Sequence, residues 1–399
     1  MSVTAADGFV ASGIACGIKA SGDSDLALVA TADHRPVPAA AVFTTNLSTA
    51  APVVTTRTHL VETGGLAAAV VFNSGNANAA TGAEGKANSV RMCELVAERI
   101  GTKTAEVLVC STGLIGIPLP MAPIESGVDS LVAALAAGPE AGVEAATAIM
   151  TTDTVRKETL LHGKTLVGGT FTLGGMAKGA AMLAPNMATM LAVLTTDAEA
   201  TSQQLQLALS KGVADSFNAL SVDGCTSTND TVIIFASGKA GPVDQAVLEE
   251  LVARGCASLA EQMAGDAEGA TKVVRVVVTG AVSNEQARMG ARKIAESALC
   301  KCSWYGEDPY WGRVLSELGS SGAAFDPDLV SVSYGSVSNG SVLVCRGGVA
   351  ASHDEGTIKA VMAERHIELV ADLGLGDGKA TILTNDLTHA YVDENMGTS

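Results

Sequence analysis

Histidine is the usual base for an activated hydroxyl, and this 399-residue chain holds six, at positions 34, 59, 162, 353, 366 and 389. None stands at a metal-ligand spacing, and no Gly-x-Ser-x-Gly serine accompanies them, so a histidine-based hydrolase has no support. The eight cysteines, at 16, 93, 110, 225, 256, 300, 302 and 345, are scattered. Only Cys300 and Cys302 are close, with no histidine beside them to complete a zinc set, and they read as reduced thiols. Gly374-Leu-Gly376-Asp-Gly378 lacks the third glycine of a phosphate loop at its required spacing and reads as a turn between two strands. Gly163-Lys164-Thr165 looks like the end of a P-loop, but Glu158 stands where the first glycine is needed. What remains is polarity in apolar surroundings. The run from Lys178 to Asp197 sets Thr189 at the head of a short apolar strand. Spacing alone makes such a threonine a core residue bonded to backbone, and spacing alone does not overturn that reading.

The elements around these residues alternate. The apolar stretch 68–72 reads as a buried strand entering a turn-rich segment, Asn73 to Asn78. Helical spacing follows from Ala83 to Ile100 and closes at Gly101. Val107 to Cys110 is a second strand, running into Ser111-Thr112-Gly113, which local preferences make a turn. Ser130 opens an Ala-rich helix ending at Gly138-Pro139. Met190 to Leu194 reads as a strand. Ser202 caps a helix with Leu205, Leu209, Val213 and Phe217 on one face. The last third is richer in β signals: 272–279, then 329–334 and 342–345 flanking the hairpin pair Asn339-Gly340, then 367–373 with 380–383 as a final pair. Helices are expected at 243–263 and 285–299. No repeat, low-complexity tract or charged linker marks a boundary. The length suits two domains or one large one, and the pattern is an α/β chain (α+β layers) with helices packed over β-sheets.

Composition narrows the class further. Apolar residues make up 47%, charged residues 17% and aromatics 3%, so the chain is neither disordered nor a disulfide scaffold, and Ala, Val, Leu, Ile and Met must build its cores. A net charge of −17, without a basic cluster, leaves nucleic acid and anionic membranes as poor partners. The uncharged stretch Gly179 to Thr196 approaches membrane-spanning length. Pro185, Asn186 and several threonines interrupt it, and it reads as buried core with a loop. The amino terminus lacks the layout of a secretory signal, and a cytoplasmic location is expected.

The wording of the run around Thr189 is more informative than its periodicity. Lys178-Gly-Ala-Ala-Met-Leu-Ala-Pro-Asn-Met-Ala-Thr-Met-Leu191 closely resembles the signature of the ornithine acetyltransferase (glutamate N-acetyltransferase) family. The resemblance runs over nearly the whole chain. It includes Gly17-Ile-Lys-Ala-Ser-Gly22, Asn73-Ser-Gly-Asn-Ala-Asn-Ala79, Cys110-Ser-Thr-Gly-Leu-Ile-Gly116 and Met150-Thr-Thr-Asp153. It continues through Val222-Asp-Gly-Cys-Thr-Ser-Thr-Asn-Asp-Thr231, Asp266-Ala-Glu-Gly-Ala-Thr-Lys272 and Asp308-Pro-Tyr-Trp-Gly-Arg313. Such an ordered set is highly specific.

The resemblance implies a self-processing enzyme of the N-terminal-nucleophile type, akin to the related self-cleaving aminopeptidases. Cleavage between Ala188 and Thr189 would give chains 1–188 and 189–399, with Thr189 as nucleophile. The new α-amine, with an unperturbed pKa of about 7.7–8.0, would serve as the base for its own residue's hydroxyl. That accounts for the missing catalytic histidine. Thr112 and Gly113 take the place of the oxyanion hole. Thr152 and Lys178 match substrate contacts, Lys178 either holding a carboxylate or keeping the Thr189 amine neutral by like-charge repulsion. Glu268 matches an acidic contact suited to a substrate ammonium group. Asn395 and a hydroxyl at the chain end, Ser399 or Thr398, match further contacts.

The implied reaction moves acetyl from N-acetylornithine to glutamate through an acetyl-threonine, without metal or organic cofactor. Some family members also accept acetyl-CoA. The implied assembly is a heterotetramer of two copies of each chain. The rivals are a self-processing hydrolase with water as acceptor and a non-catalytic binding protein that keeps the fold. Three departures stand out: Ala80 where the family usually has Cys, Tyr310 where it has Asn, and a tail one residue shorter than expected after Asn395. None falls on the nucleophile or the oxyanion residues.

Overall fold

Ala- and Val-rich runs too short for helices form strands, and the longer runs of 3.6 spacing form helices. In chain order the first group is β1 (Phe9–Ile14), β2 (Leu26–Thr31), β3 (Val37–Phe43), α1 (Ala51–Glu62), β4 (Leu66–Ala67), β5 (Ala69–Asn76), α2 (Gly82–Ile100), β6 (Val107–Leu114), α3 (Met121–Ala133) and α4 (Pro139–Ala148). It continues with β7 (Lys157–Lys164), β8 (Thr170–Lys178), β9 (Leu191–Glu199), α5 (Ser202–Ala214), β10 (Thr231–Pro242) and α6 (Gln245–Gly265). The computed structural model describes residues 3–182 and 190–396. These elements, apart from the last two residues of α6, belong to its first unit, residues 3–218 with Cys225–Met263.

Two sheets face each other in this unit, ordered β1-β2-β5-β6 and β4-β3-β10-β9-β8-β7. Their inner faces share one core, in which Val29, Val70, Phe72 and Leu108 meet Met176, Val193, Ile233 and Phe235. Burying each such side chain contributes roughly 1.5–3 kcal/mol. On the outside of the four-stranded sheet, Met92 and Val96 of α2 and Ile124 and Leu131 of α3 cover Leu28, Val71 and Val109. The six-stranded sheet is covered by α5 and α6. Gly255 on α6 lies so close to β8 that a Cβ there would sit 2.9 Å from Leu173 Cδ2, and Gly212 on α5 makes similar room for Val252 of α6. The layers are therefore helix, sheet, sheet, helix.

The second unit holds Ala219–Gly224 with residues 264–396. Its elements are β11 (Val273–Ala281), α7 (Asn284–Ala295), α8 (Ala298–Tyr305), α9 (Trp311–Gly319), β12 (Ser331–Ser336), β13 (Gly340–Arg346), β14 (Val349–Ala350), α10 (Glu355–Ala363), β15 (His366–Asp372), β16 (Gly378–Asn385) and α11 (His389–Asn395). They form one six-stranded sheet, β14-β13-β12-β15-β11-β16, packed on a core that includes Trp304, Tyr334, Val276, Ile294 and Leu369.

The strongest local signals hold. Gly101 ends α2 in the left-handed region at φ 75°, and β12 and β13 pair antiparallel across Asn339-Gly340. Others are corrected by tertiary contacts. The helix expected from Ser130 starts at Met121 and ends at Ala133, because Ala136 is drawn into a bridge with Ala11. Pro139 then opens α4, where its missing N–H costs nothing. Thr201, not Ser202, caps α5 by accepting from Gln204 N, while Ser202 Oγ donates to Gly65 O at 2.7 Å. Phe217 lies beyond the end of that helix. The 285–299 helix breaks after Ala295, and Ser297 caps α8. β15 and β16 do not pair with each other; β11 lies between them. The described end of the near-membrane-length stretch, residues 191–196, lies within β9. Among the described residues no helix is long and apolar enough to cross a membrane. Cys300 is buried and Cys302 exposed, both free.

Candidate active site

Strands β5 and β6 run parallel, pairing Asn73 with Ser111, Ser74 with Thr112 and Gly75 with Gly113 before the register breaks at Asn76. Of the segments read as turns from local preferences, Asn73–Asn76 and Ser111–Gly113 are therefore strand ends, and the expected loop begins at Ala77. The reason is that amide side chains support the backbone there. Asn73 Nδ2 donates to Asn76 O (2.8 Å), Asn76 Nδ2 donates to Ile117 O (3.2 Å) and Pro118 O (3.1 Å), and Asn78 N donates to Asn76 Oδ1 (2.8 Å). Gly113 adopts φ 132°, and a Cβ there would clash with the Gly75 carbonyl carbon and Asn76 N, so only glycine fits. Thr112 is buried and Gly113 exposed. Two polar atoms beside them, Asn73 Oδ1 and Ser111 Oγ, are buried with no hydrogen-bond partner among the described residues, as most buried polar atoms are not.

In the facing sheet β8 pairs antiparallel with β9, Lys178 opposite Leu191, and β10 pairs parallel with β9, Thr231 opposite Leu191. Lys178 is buried and its Nζ donates to Thr151 Oγ1 at 2.7 Å. Asp153 gathers the surroundings. Its Oδ1 accepts from Lys157 Nζ (2.6 Å) and Gly179 N (2.7 Å), and its Oδ2 accepts from Thr151 N (3.0 Å) and lies 3.8 Å from Lys178 Nζ. Burial alone would raise this carboxyl. The charges of Lys178 and Lys157 and the hydrogen bonds outweigh it and hold the pKa at about 2. One buried carboxylate thus faces two buried ammonium groups at the end of β8. The Gly17–Gly22 segment joins the same region. Asp25 accepts backbone bonds from Cys16, Gly17, Ile18 and Lys19, and Lys19 Nζ reaches Met150 O at 2.7 Å.

The segment entering β10 carries two further buried polar side chains. Asn229 Nδ2 donates to Ala77 O (2.6 Å) and Ser111 O (2.9 Å), and Asp230 Oδ1 accepts from Met190 N at 2.7 Å. Burial pushes the Asp230 carboxyl well above the usual carboxylate range, against the pull of the Met190 N–H.

In the second unit Glu268 Oε2 accepts from Asn395 Nδ2 at 2.7 Å, so these two candidates meet. Thr388 caps α11 and donates to Gly269 O at 2.7 Å, which holds the helix on the segment that carries Glu268. The pair suits an ammonium ligand. At the departure Tyr310, the Arg313 guanidinium lies 5.7 Å from the ring centre.

Of the expected site residues, Thr112 and Gly113 adjoin on one strand, and Lys178 lies opposite the start of β9. Thr152 is exposed beside the cluster, and it is Thr151 that bonds Lys178. Ala188, Thr189, Thr398 and Ser399 lie outside the described residues. Asp153, Lys157, Asn229 and Asp230 received no role from sequence. Asp153, Asn229 and Asp230 all lie within the matched segments 150–153 and 222–231, which was the available signal.

Asp153→Asn is expected to lower the unfolding free energy by about 3–5 kcal/mol, because it removes the charged partner from a fully buried ion pair, Asp153 Oδ1 with Lys157 Nζ at 2.6 Å. A denaturation midpoint reads this, and an unchanged midpoint would mean that Lys157 is satisfied otherwise. The folded carboxyl titrates below its unfolded value. Its contribution is therefore complete above about pH 4 and is lost as the pH falls toward 2.

Comparison with known proteins places the chain. The ArgJ family is matched over residues 10–397. An arginine biosynthesis bifunctional protein ArgJ from Mycobacterium bovis is 48% identical over 403 aligned positions, covering 100% of this chain and 96% of the relative. The protein of the same name from Thermobifida fusca is 45% identical over 400 positions, covering 100% of both. Among solved structures, the ornithine acetyltransferase complexed with ornithine from Mycobacterium tuberculosis is 47% identical over 46% of this chain and 94% of its own, with a TM-score of 0.42. Matched along essentially its whole length, the chain belongs to the ArgJ family.

Proposed function

We propose that this chain is an acetyltransferase of arginine biosynthesis that moves acetyl from N-acetylornithine to glutamate through an ester on Thr189. The observation that carries the reading is the register of β8 on β9. It sets a buried lysine, Lys178, opposite Leu191, two residues along the chain from Thr189. Self-cleavage after Ala188 frees the Thr189 amine. That amine takes the proton of Oγ1 as the oxygen attacks the acetamide carbon. The Thr112 hydroxyl and Gly113 N–H stabilise the oxyanion. Collapse breaks the C–N bond, and the departing ornithine nitrogen receives the proton from the ammonium. The glutamate amine then attacks the ester and returns Oγ1 to the hydroxyl. By like-charge repulsion Lys178 would lower the basicity of the Thr189 amine and so keep more of it neutral.

Half-reactions test this. Processed enzyme given N-acetylornithine alone should release up to one ornithine per active site and add one acetyl group to the fragment that starts at Thr189. Glutamate should discharge that acetyl as N-acetylglutamate, and water alone should do so slowly. Intact-mass spectrometry of the fragment decides. Ornithine released only when glutamate is present, with no mass increment trapped at low temperature, would replace the ester by direct transfer. Acetate formed without glutamate dependence would favour the hydrolase.

A further inference from the structure

The proposed chemistry uses Thr112, near the end of β6, and Thr189, which the chain follows with β9 of the facing sheet, and something must hold these two stretches of backbone in register. Asn229 and Asp230 are adjacent, buried and unused by the reaction just described. The Asn229 carboxamide is oriented at its oxygen end, where Oδ1 accepts from Thr228 Oγ1 at 2.6 Å. Its NH2 group is thereby aimed at two backbone carbonyls, Ala77 at 2.6 Å and Ser111 at 2.9 Å. The Ser111 carbonyl belongs to the planar peptide whose N–H is that of Thr112, so this bond sets the plane from which Thr112 projects. One residue later, Asp230 Oδ1 holds the N–H of Met190, the residue after Thr189. The segment itself is anchored. Thr44 N donates to Asp230 O at 2.9 Å, Thr44 Oγ1 donates to Ser227 O at 2.6 Å, and Asn229 N donates to Ser227 Oγ at 3.0 Å.

We propose that Asn229 and Asp230 are positioning residues, one fixing the peptide that carries Thr112 and the other fixing the chain just after Thr189. The inference rests on the reading of Thr112 and Thr189 given under Proposed function. In this role each side chain acts through the backbone groups it holds. Their effect is on alignment, where a displacement of about 1 Å can cost about 10²-fold in rate.

A double-mutant cycle on processed enzyme separates this from a general loss of stability. Asn229→Ala should lower kcat about tenfold to a hundredfold with little change in KM. In a Thr112→Ala background the same change should cost under about threefold, because the group it aligned is gone. Asp230→Ala should slow transfer comparably, whereas Asp230→Asn, which keeps an oxygen for the Met190 N–H, should restore most of the rate. Thr228→Val, which removes only the hydroxyl orienting Asn229, is the milder variant. It should show a smaller kcat loss that likewise vanishes without the Thr112 hydroxyl, and it carries the test if Asn229→Ala does not fold or process. Additive losses in the cycle, a change confined to KM, or full activity of Thr228→Val would overturn the inference. Full kcat in Thr112→Ala alone would instead overturn the oxyanion reading, and the inference with it.

Discussion

Thr189→Ala should leave a single 40.1 kDa chain with no measurable acetyl transfer. The unaltered protein should run as two fragments, divided between Ala188 and Thr189, of about 19 and 21 kDa by their share of the length. The expectation follows from one oxygen serving twice. The Thr189 hydroxyl is the proposed attacking group in chain cleavage and again in acetyl transfer, and cleavage is also what creates its base. Alanine removes the nucleophile from both steps, so no partial activity is expected. Denaturing electrophoresis and a transfer assay read the two consequences together. An alanine variant that is still cut at this bond would end the scheme, whatever its residual activity.

Thr112→Ala is expected to reduce kcat by about 10²–10³, the usual loss when one oxyanion donor is removed. The hydroxyl is proposed to act on charge that exists only in the transition state, so KM should move little. Thr112 is buried at the end of a strand whose next residue tolerates no side chain. That rigidity is what lets a donor be aimed before substrate arrives. Steady-state kinetics on processed enzyme check it, and a loss confined to KM would reassign Thr112 to substrate binding.

Where local chemistry alone decides an element, it was legible. The spacing of α2 and its terminal Gly101, and the Asn339-Gly340 hairpin, need no distant partner. The ends of β5 and β6 were not legible, since Asn73–Asn76 and Ser111–Gly113 have turn-type residues. What makes them strands is each other and the Asn229 amide, which lies 118 residues from Ser111 in the chain. The α3–α4 region misled for a related reason, because the bridge from Ala136 to Ala11 stops a helix that composition would continue. At the site, periodicity could say only that Thr189 heads an apolar strand. Its proposed role came from the resemblance. The burial of Lys157 and the sharing of Asp153 between two lysines depend on which loops meet, and no spacing encodes that.

The order of the six-stranded sheet bears on how two fragments would live together. In β4-β3-β10-β9-β8-β7, the middle pair follows Thr189 in the chain and both flanking pairs precede it. A cut at Ala188–Thr189 therefore produces not two neighbours but two interleaved pieces, with one piece's strands clasping the other's from both sides. Parting them would mean unzipping the β3–β10 and β8–β9 ladders together. It would also bare the edges of four strands, the kind of surface on which chains aggregate. Folding first and cutting afterwards would make such a pair without ever exposing those edges. The uncut precursor would then act as the template for its own assembly, and the two pieces would stay joined through both ladders at once.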